Sequence, residues 1–374
     1  MAARWRWVDL DGVDGPTMVN LFVALAEPIG TARSPPTVLF LHPSAPFANV
    51  GFHQEAEREL DLEYCRAHGV PVVRRVVGGG AILDGPWEQD YMLIVPAGSP
   101  GTEGGVAGFY ERYLAPVRAT LGRLGVPAER SGVNDLAAGG RKVSANGALT
   151  LDESWVLVGD LLLDLDVAAM SRVLRVPDEK FRGKLASGMD EWLTSVRRLT
   201  GRSVPREEVG RILREEIERA FAVTLVPGPL RPEETERLDA LRRLRTTDDW
   251  TFQKDRAHPD LAGGPDAGHA IKISAEATLA RYDLKAGKLL RVTLLHDRGA
   301  VREVQFAGDF FTQPFDGHLA DLEAGLRGLP LSEPELAAAI RGWLERRNVQ
   351  LLGAAPEDLA RAVVGAAALR PSSS

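Results

Sequence analysis

The feature that most narrows the possibilities for this chain is the run Arg74-Arg75-Val76-Val77-Gly78-Gly79-Gly80-Ala81-Ile82, two arginines at the end of an extended stretch and then three consecutive glycines. Backbone without side chains lets several N–H groups converge on an anion such as a phosphate oxygen. Arginine adds forked donors suited to phosphate or carboxylate. The spacing is not the Gly-x-Gly-x-x-Gly of dinucleotide folds, and no Gly-Lys-Ser/Thr follows as in a P-loop. Taken alone, a glycine-rich hairpin with surface arginines accounts for the run equally well. A second segment has to decide.

That segment is Asn134-Asp135-Leu136-Ala137-Ala138-Gly139-Gly140-Arg141-Lys142-Val143-Ser144. Its paired glycines supply the positive φ angles of a tight reversal, which predicts a hairpin with Lys142 on a rigid strand. There an ammonium can face a carboxylate and a phosphate together. As an isolated motif it is weak, because most lysines are simply solvated.

At 374 residues the chain is too long for one ordinary core and suits about two domains. Residues 1 to 225 alternate helical and extended patterns. Met18, Leu21, Phe22 and Leu25 behind Pro16 predict a helix, and Thr37 to Leu41, Ala81 to Leu83, Tyr91 to Val95 and Trp155 to Leu165 predict strands. A polar helix is expected over Glu55 to His68 with Gly69 at its end, and a long one from Val106 to Leu124. Residues 227–249 read as a connector carrying a short helix with Leu238, Leu241 and Leu244 on one stripe. Beyond Trp250 a strand meander (Ala270 to Leu279, Leu289 to His296, Val301 to Phe306) precedes two or three helices. The expected division is a catalytic domain over 1–250 and a smaller domain over 251–374, with a frayed tail at Pro371 to Ser374.

A net charge of −7, from 45 Lys plus Arg against 52 Asp plus Glu, gives no footprint for long nucleic acid. No apolar run reaches the ~18 residues of a membrane span, and nothing near Met1 has a signal-peptide layout, so a cytoplasmic protein without membrane insertion is expected. The single cysteine, Cys65, cannot make an internal disulfide, and the seven histidines show no metal-ligand spacing. Asp164, Asp166, Asp248 and Asp249 read as capping residues.

Together the arginine–glycine run and the Asn-Asp-Leu…Lys-Val-Ser run resemble the lipoate–protein ligase A family, in order and in spacing. The resemblance extends to Gln54, to Asp61-Leu62-Glu63-Tyr64-Cys65, to Leu174 through Lys180 and to Ser195 through Leu199. Past Trp250 it takes in Gly308-Asp309-Phe310-Phe311 and Leu322 to Gly328, which are similar to the family's accessory domain. It implies an α/β (α+β) fold: a class II aminoacyl-tRNA synthetase/biotin ligase-like catalytic domain with a C-terminal α+β accessory domain. The implied activity uses Mg2+ and ATP to convert lipoate into lipoyl-AMP, then forms an amide with one lysine of an acceptor lipoyl domain. That acceptor is a 2-oxoacid dehydrogenase E2, a glycine-cleavage H-type protein or a specialised carrier.

Carried over by position, Lys142 is the catalytic residue, touching the nucleotide and the lipoyl carboxyl. Arg74, Arg75, Gly78, Gly79, Gly80, Ala81, Ile82, Leu83, Asn134 and Asp135 are the ATP- and lipoate-binding set. The chemistry suits these residues, since a carboxylate attacking an α-phosphate brings two anions together and cations offset the repulsion. An apolar slot for the lipoyl group is sought among Trp5, Trp7, Leu39 and Phe47 by residue type.

The sequence departs from the family pattern around the expected pocket. Val77 stands for the family's serine, Asp84-Gly85 for His-Asp, Trp87-Glu88 for Gly-Asn, Ala145-Asn146-Gly147 follows Lys142-Val143-Ser144, and His42 stands where an arginine is expected. Related octanoyl- and lipoyl-transferases use a cysteine nucleophile in a region that Cys65 does not occupy. Three readings therefore stay open: an ATP-dependent lipoate ligase, a non-catalytic lipoate-binding or regulatory protein, and a ligase for another acid such as octanoate.

Overall fold

The computed structural model describes residues 2–175, 182–261, 265–274 and 276–371. The expected motif segment from Val176 to Lys180 and the tail after Pro371 lie outside them. The chain forms two compact units. One comprises Met1–Asn49, Leu60–Arg75 and Ile82–Thr251, and the other Val50–Glu59, Val76–Ala81 and Phe252–Ser374.

The first unit is built on a six-stranded mixed sheet in the order Asn146–Leu151, Ser154–Leu162, Glu88–Pro96, Thr37–Pro43, Ala3–Val13, Val223–Pro227. Ala3–Val13 runs parallel to both its neighbours, and the other pairings are antiparallel. The helix Gly15–Gly30 starts as its sequence dictates: the Asp14 side chain accepts from Thr17 N at 2.9 Å and Pro16 occupies the first turn. It is buried nearly all round, more than a single apolar stripe requires. The reason is the helix Pro232–Arg245, from the segment expected as a connector, which packs along it. Arg242 donates to Thr17 Oγ1 at 2.7 Å and to Asp14 Oδ2 at 2.6 Å. Leu238 is buried, but Leu244 is 61% exposed, so the three-leucine stripe does not form; polar pairing sets the orientation of this helix.

Both long predicted helices are interrupted. Val106 to Leu124 is two helices, Gly105–Tyr113 and Ala115–Arg123, because Pro116 lacks an N–H and can sit only in the first turn of a new helix. Glu55 to His68 breaks at Leu60-Asp61 into Ala56–Glu59 and Leu62–Ala67, with Asp61 capping the second through Tyr64 N at 2.9 Å.

In the second unit a four-stranded antiparallel sheet, His269–Lys272, Ala277–Lys285, Leu289–Asp297 and Ala300–Gly308, carries one large core. Leu290, Val292, Val304 and Phe306 of the sheet meet Leu322, Ile340 and Val363 from the helices Leu319–Gly325, Glu333–Arg347 and Pro356–Ala367. The expected strand over Ala270 to Leu279 is two strands, since Ile273 N and Ser274 N both donate to Ala277 O and reverse the chain.

Candidate functional site

In the first unit Lys142 stands on the strand Arg141–Ser144, hairpin-paired with Asp135–Ala138 across Gly139 and Gly140 at φ +57° and +75°. Its Nζ lies 2.8 Å from Asp135 Oδ2, and 37% of its side chain stays accessible. The backbone behind it is pinned by Thr194 N, which donates to Lys142 O at 2.8 Å. Asn134 is buried and donates Nδ2 to Asn146 O; Tyr91 donates its hydroxyl to Asn146 Oδ1, and Asn146 Nδ2 donates to Ser144 Oγ at 3.1 Å. Asn134, Asp135 and Lys142 are therefore gathered on one braced hairpin.

The two arginines differ. Arg75 Nη1 donates to Asn49 O at 3.0 Å and Asn49 Oδ1 at 3.2 Å, while Asn49 Nδ2 donates to Asp84 Oδ2 at 2.7 Å. Burial pulls the Arg75 pKa down to about 10, and the nearby Asp84 charge opposes the shift. Arg74 is buried; its Nε donates to Thr251 O at 2.8 Å and its carbonyl accepts from Trp250 Nε1 at 3.0 Å, so it ties its strand to the Trp250 segment. Ile82 and Leu83 pair with Asn49 and Ala48, with Leu83 buried and Ile82 partly open.

Beside Arg75 lies a group of buried carboxyls that sequence reasoning only half identifies. Asp84 and Glu88 are noticed as departures; Asp90 and Asp160 are not. The signal available is Glu88 and Asp90 two residues apart on one strand, hence on one face. Asp160 faces Asp90 in register. Each of the four is at most 9% exposed. Burial drives all four pKa values upward, Asp84 to about 6, Asp160 to about 7, and Glu88 and Asp90 well above the usual range. Repulsion from neighbouring carboxylates adds to the rise at Glu88, Asp90 and Asp160, while the Asn49 bond relieves Asp84 and the Ala145 N–H, 2.9 Å from Asp160 Oδ1, relieves Asp160.

Gly78, Gly79, Gly80 and Ala81 belong to the second unit. Gly79 has φ +95°, a conformation that suits glycine. Phe52 N donates to Val77 O at 3.0 Å, so the residue replacing the family's serine is held by its backbone, with its side chain buried.

The remaining candidates take structural positions. Cys65 is buried and burial pushes its thiol up to about 11. Trp7 packs on Phe40 and Trp5 on Phe221. His42 Nδ1 lies 2.9 Å from Asp11 Oδ1. Asp166 caps a helix through Ala169 N, as the sequence predicts. Among the described residues no group of three or more His, Cys, Asp or Glu is placed to hold a metal ion, and no helix is long and apolar enough to cross a membrane.

Residues 20–218 match the family described as the lipoyl protein ligase A/B catalytic domain. Octanoyltransferase LipM of Kyrpidia tusciae is 29% identical over 273 residues, 66% of this chain and 99% of that protein. Lipoate–protein ligase 1 of Staphylococcus aureus is 25% identical over 282 residues, 75% of this chain and 76% of that protein. Among solved structures, a bi-partite lipoate protein ligase from Thermoplasma acidophilum aligns with a TM-score of 0.59 at 22% identity, covering 67% of this chain and 96% of its own. P. falciparum LipL1 in complex with lipoate aligns with a TM-score of 0.63 at 12% identity over 92% and 98%. These likenesses establish the expected synthetase/biotin ligase-like fold.

Proposed function

The chain belongs to the lipoyl protein ligase A/B catalytic domain family, and from that premise we propose that it is an ATP-dependent lipoate–protein ligase. It attaches lipoate, through lipoyl-AMP, to a lysine of an acceptor lipoyl domain. Attachment of lipoate or octanoate is common to the relatives; the choice between ATP-driven activation and acyl transfer is the finer question. One observation carries the choice. A thioester route needs a thiolate, and the chain's sole cysteine is buried with its thiol pushed up to about 11. Activation of a free carboxyl by a nucleotide needs no cysteine.

In this reading Lys142 lies between the α-phosphate and the attacking carboxylate and stabilises the charge that grows as they meet. Arg75, positioned by Asn49, is the second cation, and the Gly78–Gly80 backbone receives phosphate oxygens. Magnesium arrives on the ATP phosphates, the usual way a nucleotide carries it. A solved lipoate–protein ligase A bound with ATP shares the fold, with a TM-score of 0.55 at 20% identity, and is consistent with a nucleotide site. Acyl transfer from an octanoyl carrier is the second reading, favoured by the LipM relatives.

The deciding experiment supplies the full-length protein with Mg-ATP and lipoate or octanoate and measures pyrophosphate release, with and without an E2 lipoyl domain. Release plus a lipoyl mass gain on the acceptor is expected. Octanoyl transfer from a carrier without ATP would replace the ligase by the transferase. Binding without turnover would leave a regulatory protein.

A further inference from the structure

The proposed phosphate loop is short and, through Gly78, Gly79 and Gly80, has no side chains to fix its shape, so something else must hold it. Within the second unit that support can be followed bond by bond. Thr312 donates its hydroxyl to Phe315 O at 2.8 Å. Its remaining capacity is as an acceptor, so the 2.8 Å contact to His53 Nε2 makes that nitrogen the donor. The buried His53 ring stacks on Phe310 with centroids 4.7 Å apart, and its carbonyl accepts from Gly308 N at 3.1 Å. The preceding residue, Phe52, packs edge-on to Phe315 at 5.0 Å and donates its N–H to Val77 O, at the entrance to the glycines.

The glycines themselves rest on the same seat. A Cβ built on Gly78 would lie 2.5 Å from Phe310 O and 3.0 Å from Phe311 Cα. One built on Gly51, next to Phe52, would lie 1.9 Å from Gly79 O. The nearest atom on either side of the loop is thus a backbone carbonyl oxygen, which cannot swing aside as a side chain would.

We propose that Thr312 and His53 are positioning residues for nucleotide binding: the segment Phe310–Thr312, leading into the strand Phe311–Gln313 and acting through His53 and Phe52, sets the conformation in which Gly78–Gly80 receive the phosphates of ATP. The inference rests on the ligase reading and names which side chains of the second unit serve that site. A loop 1 Å out of place is enough to cost ~10²-fold in a reaction that depends on alignment. Loss of the hydroxyl therefore acts on ATP more than on the organic acid.

The test uses full-length protein and compares Thr312→Val, which keeps the shape and removes the hydroxyl, with Thr312→Ser, which keeps the hydroxyl. Thr312→Val is expected to raise KM for ATP by ~10-fold or more while KM for lipoate changes little. Thr312→Ser is expected to restore it. Hydrogen exchange on the substrate-free protein should accelerate over residues 76–81 in Thr312→Val, an effect readable even if turnover is lost. Unchanged exchange there, or equal losses for ATP and lipoate, overturns the positioning role. No ATP-dependent pyrophosphate release in the unmodified protein would instead remove the ligase reading, leaving the exchange measurement to judge the seat alone.

Discussion

Lys142 carries the largest share of the proposed chemistry, and its ammonium pairs with Asp135 at 2.8 Å. The pair is partly exposed, so it is worth little to stability, and the lysine can exchange the carboxylate for a phosphate. Lys142→Ala should therefore lower adenylate formation by ~10²-fold or more with the melting temperature nearly unchanged; pyrophosphate release at near-normal rate in that variant would remove Lys142 from the mechanism. Gly80 gives a sharper contrast with its neighbours. A Cβ there meets no atom within 4 Å, so the fold itself does not require glycine. Gly80→Ala should melt like the parent yet bind ATP less tightly, and unaltered ATP affinity by calorimetry would show that no phosphate approaches that carbon. The buried carboxyls make a pH prediction. Asp84 and Asp160 bind protons up to about pH 6 and 7 when folded, whereas in the unfolded chain they release them near ordinary carboxylate values. The native state then holds more protons between about pH 4 and 7, so stability falls as pH rises through that window. Asp160→Asn keeps the acceptor for Ala145 N and removes the charge. Melting curves from pH 4.5 to 8 should show a flatter slope and higher stability at pH 8 for this variant, and an unchanged slope would assign the pH dependence to other groups.

At the scale of elements, what could be read from the chain depended on whether the determinant was local. The Asn134–Ser144 hairpin follows from Gly139 and Gly140, and the helix Gly15–Gly30 from Asp14, Pro16 and an apolar spacing; each carries its own start and turn signals. The strand Ala3–Val13 does not: its exposure follows no clean alternation, and it is a strand because two parallel partners flank it, a fact recorded far away at Thr37 and Val223. The site divides the same way. Arg75, Asn134, Asp135 and Lys142 stand out in sequence by motif, while Asp90 and Asp160 become a group only through cross-strand register. The helix Pro232–Arg245 was legible as a helix within the expected connector, but its packing was not, since polar pairing anchors it. Arg6 donates twice to Glu234, at 2.8 and 2.7 Å, with the glutamate wholly buried. Arg6→Met leaves that carboxylate without its cation and should cost about 3 kcal/mol or more. Adding Glu234→Met should recover most of the loss, a coupling readable from denaturant midpoints; additive losses would mean the pair does not act as a unit.

At the scale of the whole molecule, two short segments from the first quarter of the chain, Val50–Glu59 and Val76–Ala81, belong to the unit built mainly from residues after Thr251. Charge and packing both anchor them there. Buried Glu55 accepts from Arg281 Nη2 at 3.4 Å and lies 3.6 Å from Arg58, and Glu59 pairs with Arg291 at 2.8 Å. Asp255 accepts from the N–H groups of Ala56 and Glu57 at 3.1 and 2.9 Å, capping that short helix from a residue two hundred positions away. A chain cut after Thr251 keeps every strand of the six-stranded sheet but loses Arg281, Arg291, Asp255, Phe310 and Thr312 together. Glu55 then has only Arg58 from that cluster, and Phe52 loses its packing on Phe315. The fragment 1–251 should accordingly retain slow hydrogen exchange over 37–43, 88–96 and 154–162 while residues 50–59 and 76–81 exchange rapidly and are the first to be cut by protease. Uniform loss of protection would mean the sheet cannot stand without the C-terminal part. Full protection of 76–81 in the fragment would mean the glycine-rich loop takes its shape without residues after Thr251, and that its dependence on the Phe310–Thr312 segment is incidental.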